Sequence, residues 1–307
     1  MKRLVAVASL AGLILAFGMF STAQNQVRLQ LGLLVDGSGS ISATDFELVR
    51  SALIASLSDS NLIPHTGVVE ITIVQFSDER ARVEVAPTVL TADSVDDITS
   101  KLRSMTQGRG GTPLWLGIDA VTNAMVGSAN FNIAERQTIN IATDGQPQVP
   151  VSNIAVAQGI TLSNQARDRA VSNGIDEIDA EGVGQAITDT GFRNFLLQLV
   201  WPQPGTLVDG VNNGSTFDPG FVTLVANFQD FEEALRAKVA AIVSSGGLNG
   251  NGDGDGTDRP GGGTAPGPGG RPIPFDTPMG TALLAGVLGT MMLVFRFKEH
   301  LRLGARK

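Results

Sequence analysis

Val27-Arg28-Leu29-Gln30-Leu31-Gly32-Leu33-Leu34-Val35 runs directly into Asp36-Gly37-Ser38-Gly39-Ser40. The first stretch is apolar at nearly every position toward its end, as a strand covered on both faces must be. The second is a polar turn, with a carboxylate and two hydroxyls at alternate positions and glycines between them. In an open parallel sheet, ligands bind beyond the carboxyl ends of the strands, at the topological switch point. Glycine tolerates unusual φ/ψ, so this loop can curl and aim three oxygens inward.

The segments that follow alternate in period. Thr44 with Glu47 reads as a capping box, and Phe46, Val49, Leu53 and Leu57 recur at helical spacing to about Ser58. Val68–Phe76 and Arg82–Leu90 read as strands, Asp93–Met105 and Leu114–Val126 as helices, and Thr138–Thr143 as another central strand. Helices are expected near Leu162–Ser172 and Phe192–Leu199, then a short strand at Phe221–Ala226. Asn227 is expected to cap a last helix with Phe228, Phe231, Leu235, Val239 and Ile242 on one stripe. This alternation predicts an α/β fold: a Rossmann-like, doubly wound, mostly parallel sheet with helices on both faces. Ile175–Glu181 fits badly, with four carboxylates in seven residues. A strand there is expected near an edge, its acids either solvated or forming a second calcium site.

The chain has 307 residues, 42% of them apolar, with 37 glycines, two histidines and no cysteine. Disulfides and thiolate metal sites are excluded. Residues 24–245 hold 13 Lys and Arg against 25 Asp and Glu, a balance of −12, which repels nucleic acid phosphates.

The two ends read differently from the body. Met1-Lys2-Arg3, the apolar run Leu4–Phe20 and Ser21-Thr22-Ala23 have the three regions of a secretory signal peptide at 1–23. Residues 246–274 are dominated by Gly, Pro, Asn and Asp and read as a linker, even where Asn251–Gly256 imitates the start of a calcium loop. Residues 275–307 hold the 17-residue uncharged run Met279–Phe295, followed by Arg296, Lys298, Arg302, Arg306 and Lys307. Such a run spans roughly 26 Å, enough for a C-terminal transmembrane helix with a cytoplasmic basic tail. The expectation is an exported domain, 24–245, tethered outside the cytoplasm.

Two further oxygen groups stand in contexts that match Asp36, Ser38 and Ser40. Thr112, in Gly110-Gly111-Thr112-Pro113, precedes the Leu114 helix, and Asp144-Gly145 follows the Thr138–Thr143 strand. Singly, each of the five has an ordinary reading as a helix cap or turn residue. Together and in order they resemble the metal-ion-dependent adhesion site of von Willebrand factor A domains, and the resemblance covers about residues 28–244. It implies that Ser38, Ser40 and Thr112 coordinate a cation through hydroxyls while Asp36 and Asp144 act largely through water. An all-oxygen, water-rich shell suits Mg²⁺, with Mn²⁺ or Ca²⁺ as substitutes. It implies a partner, a protein or other acidic ligand, that supplies a carboxylate to the metal, and a role in cell adhesion. The C-terminal end is also similar to bacterial exosortase-type sorting signals, implying a sorting protease as a further partner.

Other chemistries fit less well. Ser38 stands where a haloacid-dehalogenase-type phosphatase needs a second Asp, and Asp36 where a Gly-x-Ser-x-Gly elbow needs glycine. Gly108-Arg109-Gly110-Gly111 lacks the Gly-Lys-Ser/Thr of a phosphate loop. The expectation is a binding domain and not an enzyme. The alternatives are a structural or assembly component with a fold-stabilising metal, and a metal-dependent hydrolase. Trp115 reads equally as a wall of the site or as core, Arg109 as a solvated loop charge, and His65 as a turn residue.

Overall fold

The computed structural model describes residues 26–184, 188–209 and 217–245. The expected leader, linker and apolar run 279–295 lie outside them. Among the described residues no helix is long and apolar enough to cross a membrane.

Seven strands form one sheet: β1 (Leu29–Asp36), β2 (Thr66–Ser77), β3 (Arg80–Thr91), β4 (Arg136–Thr143), β5 (Glu177–Val183), β6 (Thr206–Asp209) and β7 (Phe221–Val225). Their order is β3-β2-β1-β4-β5-β7-β6, with every neighbouring pair parallel except the β2–β3 hairpin. From β1 the chain passes to β2 on one side and later to β4 on the other, so the switch point lies where β1 and β4 end.

Among the described residues six α-helices cover the two faces: α1 (Ala43–Ser58), α2 (Val95–Ser104), α3 (Leu114–Val126), α4 (Val156–Ser172), α5 (Thr190–Leu199) and α6 (Phe231–Ser245). β1 shows why both faces must be covered. Leu29, Leu31, Leu33 and Val35 enter the core shared with α1, α2 and α6, while Leu34 enters the core shared with α3, α4 and α5. Trp115 packs into this second core and is not a wall of the site.

Several boundaries differ from expectation. α1 is capped by Ser42, whose hydroxyl accepts the Asp45 N–H at 3.1 Å, so Thr44 lies inside the first turn and no capping box forms. α4 begins six residues before the expected Leu162. Asn227 accepts N–H bonds from Gln229 and Asp230 in a turn ahead of α6, and the helical stripe starts at Phe231.

The main correction concerns the acidic stretch. β5 is not an edge strand, since it runs between β4 and β7 with every residue buried. Of the four acids, Asp176 just ahead of the strand is exposed as expected, but Glu177, Asp179 and Glu181 are buried, and among the described residues no His, Asp or Glu cluster forms a cation cage there. Each acid has local compensation. Glu177 meets Arg136 at 2.6 Å, Asp179 accepts the N–H groups of Gly220 and Phe221 at 3.0 and 3.1 Å, and Glu181 meets Lys238 at 2.7 Å. Ile178 and Ala180 alternate with these acids into the opposite core. Burial pushes Asp179 well above the carboxylate range, helped by the Glu177 charge, and raises Glu181 despite Lys238.

Candidate metal site

Asp36 ends β1, with its side chain buried under the turn that follows. One carboxylate oxygen accepts the Ser38 N–H at 2.8 Å, and the other accepts the Thr143 hydroxyl at 2.6 Å. Ser38 and Ser40 place their hydroxyls 3.0 Å apart, and the Ser40 hydroxyl donates to Asp144 at 2.8 Å. One hydrogen-bonded chain thus joins the ends of β1 and β4 across the switch point. Thr143 was not anticipated in it, because its place as the last residue of an apolar strand gave no polar signal.

The turn is held from below by a second loop. Gly37 accepts the Arg109 N–H at 2.7 Å, Gly39 donates to Gly110 at 2.9 Å, and Gln107 donates its amide to Ser38 and Ile41 at 2.9 and 2.8 Å. Gly110 has φ +76°, and a Cβ there would lie 2.8 Å from the Asp78 Cα, so only glycine permits this approach. Arg109 is exposed at the loop surface, and the His65 ring meets Leu57 O at 2.8 Å, a turn contact remote from these residues.

Thr112 enters through a backbone bridge. Its N–H donates to Gln148 at 2.6 Å, and its carbonyl accepts the Gln148 N–H at 3.2 Å. Its side chain does not cap α3, whose N-cap is Pro113. The Thr112 hydroxyl makes no hydrogen bond to any described residue, although Thr112 is only 5% exposed. Ser40, Thr112 and Asp144 border one open cleft of about 580 Å³.

The electrostatics of the pair are unfavourable. Burial, then the Asp144 charge, push the Asp36 carboxyl up to about 7 against the hydrogen bonds from Thr143 and Ser38. Burial raises Asp144 too, against the Ser40 hydrogen bond, and Asp45 adds to the repulsion. No described cation offsets them. Two mutually repelling carboxylates and three hydroxyls, that of Thr112 bonded to no described residue, fit a hard divalent cation, which prefers oxygen donors. No soft or nitrogen donor belongs to the set.

The family profile of the von Willebrand factor type A domain matches residues 31–198. No curated protein sequence matches the chain. Among solved structures, the pilus adhesin SpaC from Lactobacillus rhamnosus GG, in an open conformation, superposes with a TM-score of 0.53 at 15% identity, covering 72% of this chain and 31% of its own. Proximal thread matrix protein 1 from the mussel byssus gives a TM-score of 0.48 at 16% identity, covering 70% of this chain and 49% of its own. A further structure of that mussel protein, with a zinc-occupied MIDAS motif, gives 0.48 at 17%, covering 71% and 46%. The chain spans less than half the length of these structures. At such identities the SpaC likeness concerns the fold alone.

Proposed function

The chain belongs to the von Willebrand factor type A family, and from that premise we propose that it is an adhesion module binding its partner through a divalent cation. Ser38, Ser40 and Thr112 would hold the cation directly, with Asp36 and Asp144 acting largely through water. When bound, the cation supplies a coordination position for a carboxylate oxygen of a protein or other acidic ligand. Mg²⁺ suits this donor set best, because so few carboxylates contact the ion directly. The observation that carries the reading is the hydrogen-bonded chain of Asp36, Ser38, Ser40 and Asp144 at the switch point, with Thr112 on the same cleft and its hydroxyl bonded to no described residue.

The module's surroundings follow from its sequence. We place the domain outside the cytoplasm after loss of 1–23, on the 246–274 stalk, anchored through Met279–Phe295, with sorting-enzyme processing as an added step. Binding and not hydrolysis is the role we assign, in keeping with the family to which the chain belongs. Calorimetric titration of Mg²⁺ into the full chain and its Ser40→Ala variant tests the site. Binding by the wild type and a loss of at least about tenfold in the variant support the reading. Equal binding by the two removes it.

A further inference from the structure

The cleft beside the five oxygens is acidic beyond what the cation needs. Asp45, Asp144 and Asp189 line it, Asp36 is buried directly behind it, and no lining residue is Lys, Arg or His. A divalent cation neutralises only half of these four carboxylates. An incoming carboxylate therefore reaches its metal position in a field that opposes it.

Two of these acids sit where a partner would pass. Asp45 is in the first turn of α1, bonded to the Ser42 hydroxyl at 2.7 Å, and it raises the pKa of Asp144 across the gap. Asp189 caps α5 through the Phe192 N–H at 3.0 Å and receives the Gln146 amide at 3.3 Å. Gln146 lies two residues beyond Asp144, so Asp189 is one side chain removed from the cation position. Val156 and the half-buried Phe228 supply apolar wall in the same cleft. An acidic rim with apolar flanks fits the methylene stem and charged head of Lys or Arg.

We infer that the partner is a protein segment presenting one carboxylate flanked by Lys or Arg, with the acid on the cation and the basic groups against Asp45 and Asp189. The inference rests on the metal reading given above and narrows it. It excludes polyacidic ligands, whose further charges meet these walls unpaired.

Three synthetic peptides separate the cases: a single Glu flanked by Lys, the same Glu flanked by Gln, and the same Glu flanked by further Glu. Each is titrated into the full chain by fluorescence anisotropy, in Mg²⁺ and in EDTA. Mg²⁺-dependent binding of the Lys-flanked peptide should exceed that of the Gln-flanked one by about tenfold, the size of one partly screened charge pair. The Glu-flanked peptide should bind weakest. The Lys-to-Gln ratio should collapse in the Asp45→Asn/Asp189→Asn double variant, in which Asn keeps the α5 cap at 189 and can still accept the Ser42 hydroxyl at 45. The wild-type ratio should also shrink from about 0.05 M to 0.5 M NaCl, as screening shortens the range of the rim charges. Equal Mg²⁺-dependent binding of the three peptides, or a salt-independent ratio, overturns the inference and leaves the metal reading standing. Absence of any Mg²⁺-dependent binding overturns both.

Discussion

Replacing Thr112 with Val makes the sharpest demand on the metal site, because it should spare the metal-free fold while removing a ligand of the ion. The side chains are nearly isosteric and both β-branched, and the bridge to Gln148 uses only backbone groups. Without metal, the substitution removes a hydroxyl that borders the open cleft and bonds to no described residue. Water in the cleft can satisfy that hydroxyl, so the variant should match the wild type in stability to within about 0.5 kcal/mol. With metal, the variant lacks one direct ligand. A hundredfold loss of affinity corresponds to about 2.7 kcal/mol. At a Mg²⁺ concentration near 100 times the wild-type Kd, the ion stabilises the wild type by about 2.7 kcal/mol and the variant by only ~0.4 kcal/mol. For a domain of this size the difference amounts to roughly 4–9 °C in melting temperature. Thermal melts of both proteins in EDTA and in Mg²⁺ read it directly. A variant that melts well below the wild type in EDTA would show that the hydroxyl serves the fold. A variant with the full wild-type response to Mg²⁺ would refute its place in the metal site.

Lys238→Met should cost about 3–5 kcal/mol in urea unfolding, because it strands the Glu181 carboxyl without its partner in a site where both are 0% exposed; Lys238→Met/Glu181→Leu should recover most of that loss. Asp36 has a folded pKa of about 7 against an ordinary 3.8, so its protonated form favours the fold. The metal-free protein should therefore lose stability as pH rises from about 4 to 7, at up to ~1.4 kcal/mol per pH unit, with Asp144 and Asp179 adding in the same direction. Asp36→Asn should flatten that slope, and Mg²⁺ affinity of the wild type should rise over the same interval as the protons leave. Steeper stability at higher pH would contradict the burial of these acids. Gly110→Ala should destabilise by at least 1–2 kcal/mol and weaken Mg²⁺ binding together, since the added methyl meets Asp78 and the 107–111 loop supports Ser38 and Ser40.

Some of this was legible in the chain itself. Continuous apolar runs at 27–35, 68–76 and 138–143 leave only a buried sheet as their destination, and the polar groups behind each run mark its carboxyl end. The five oxygens follow from that placement, because strands that run parallel deliver their ends to one edge. What sequence could not supply was the partnering. Thr143 reads as strand and Gln107 as loop, yet one holds Asp36 and the other holds the Ser38 turn. β6 was missed because four residues carry too little periodicity to register. Asp45 and Asp189 carried no signal of their own in the sequence, and only the fold brings both to the same cleft as Asp144.

The misplacement of β5 has a physical lesson. Four acids in seven residues argue for solvent only if nothing else compensates them, and hydropathy is blind to compensators far along the chain. Arg136 lies on the neighbouring strand, while Lys238 lies on the last helix, 57 residues beyond Glu181. Lys238 itself reads as a charged residue beside the apolar stripe of α6, yet it is buried with that stripe. Burying the pair is weak support for stability, since two apolar residues would pack as well or better. What it does provide is register. α6 can dock fully only where its one buried ammonium meets Glu181, because a shift by one turn strands a charge in each element. An acidic central strand thus sets the position of the helix whose preceding turn, Ala226-Asn227-Phe228, forms a wall of the ligand cleft. The same carboxylates that obscured the strand in the sequence therefore fix the shape of the site in the fold.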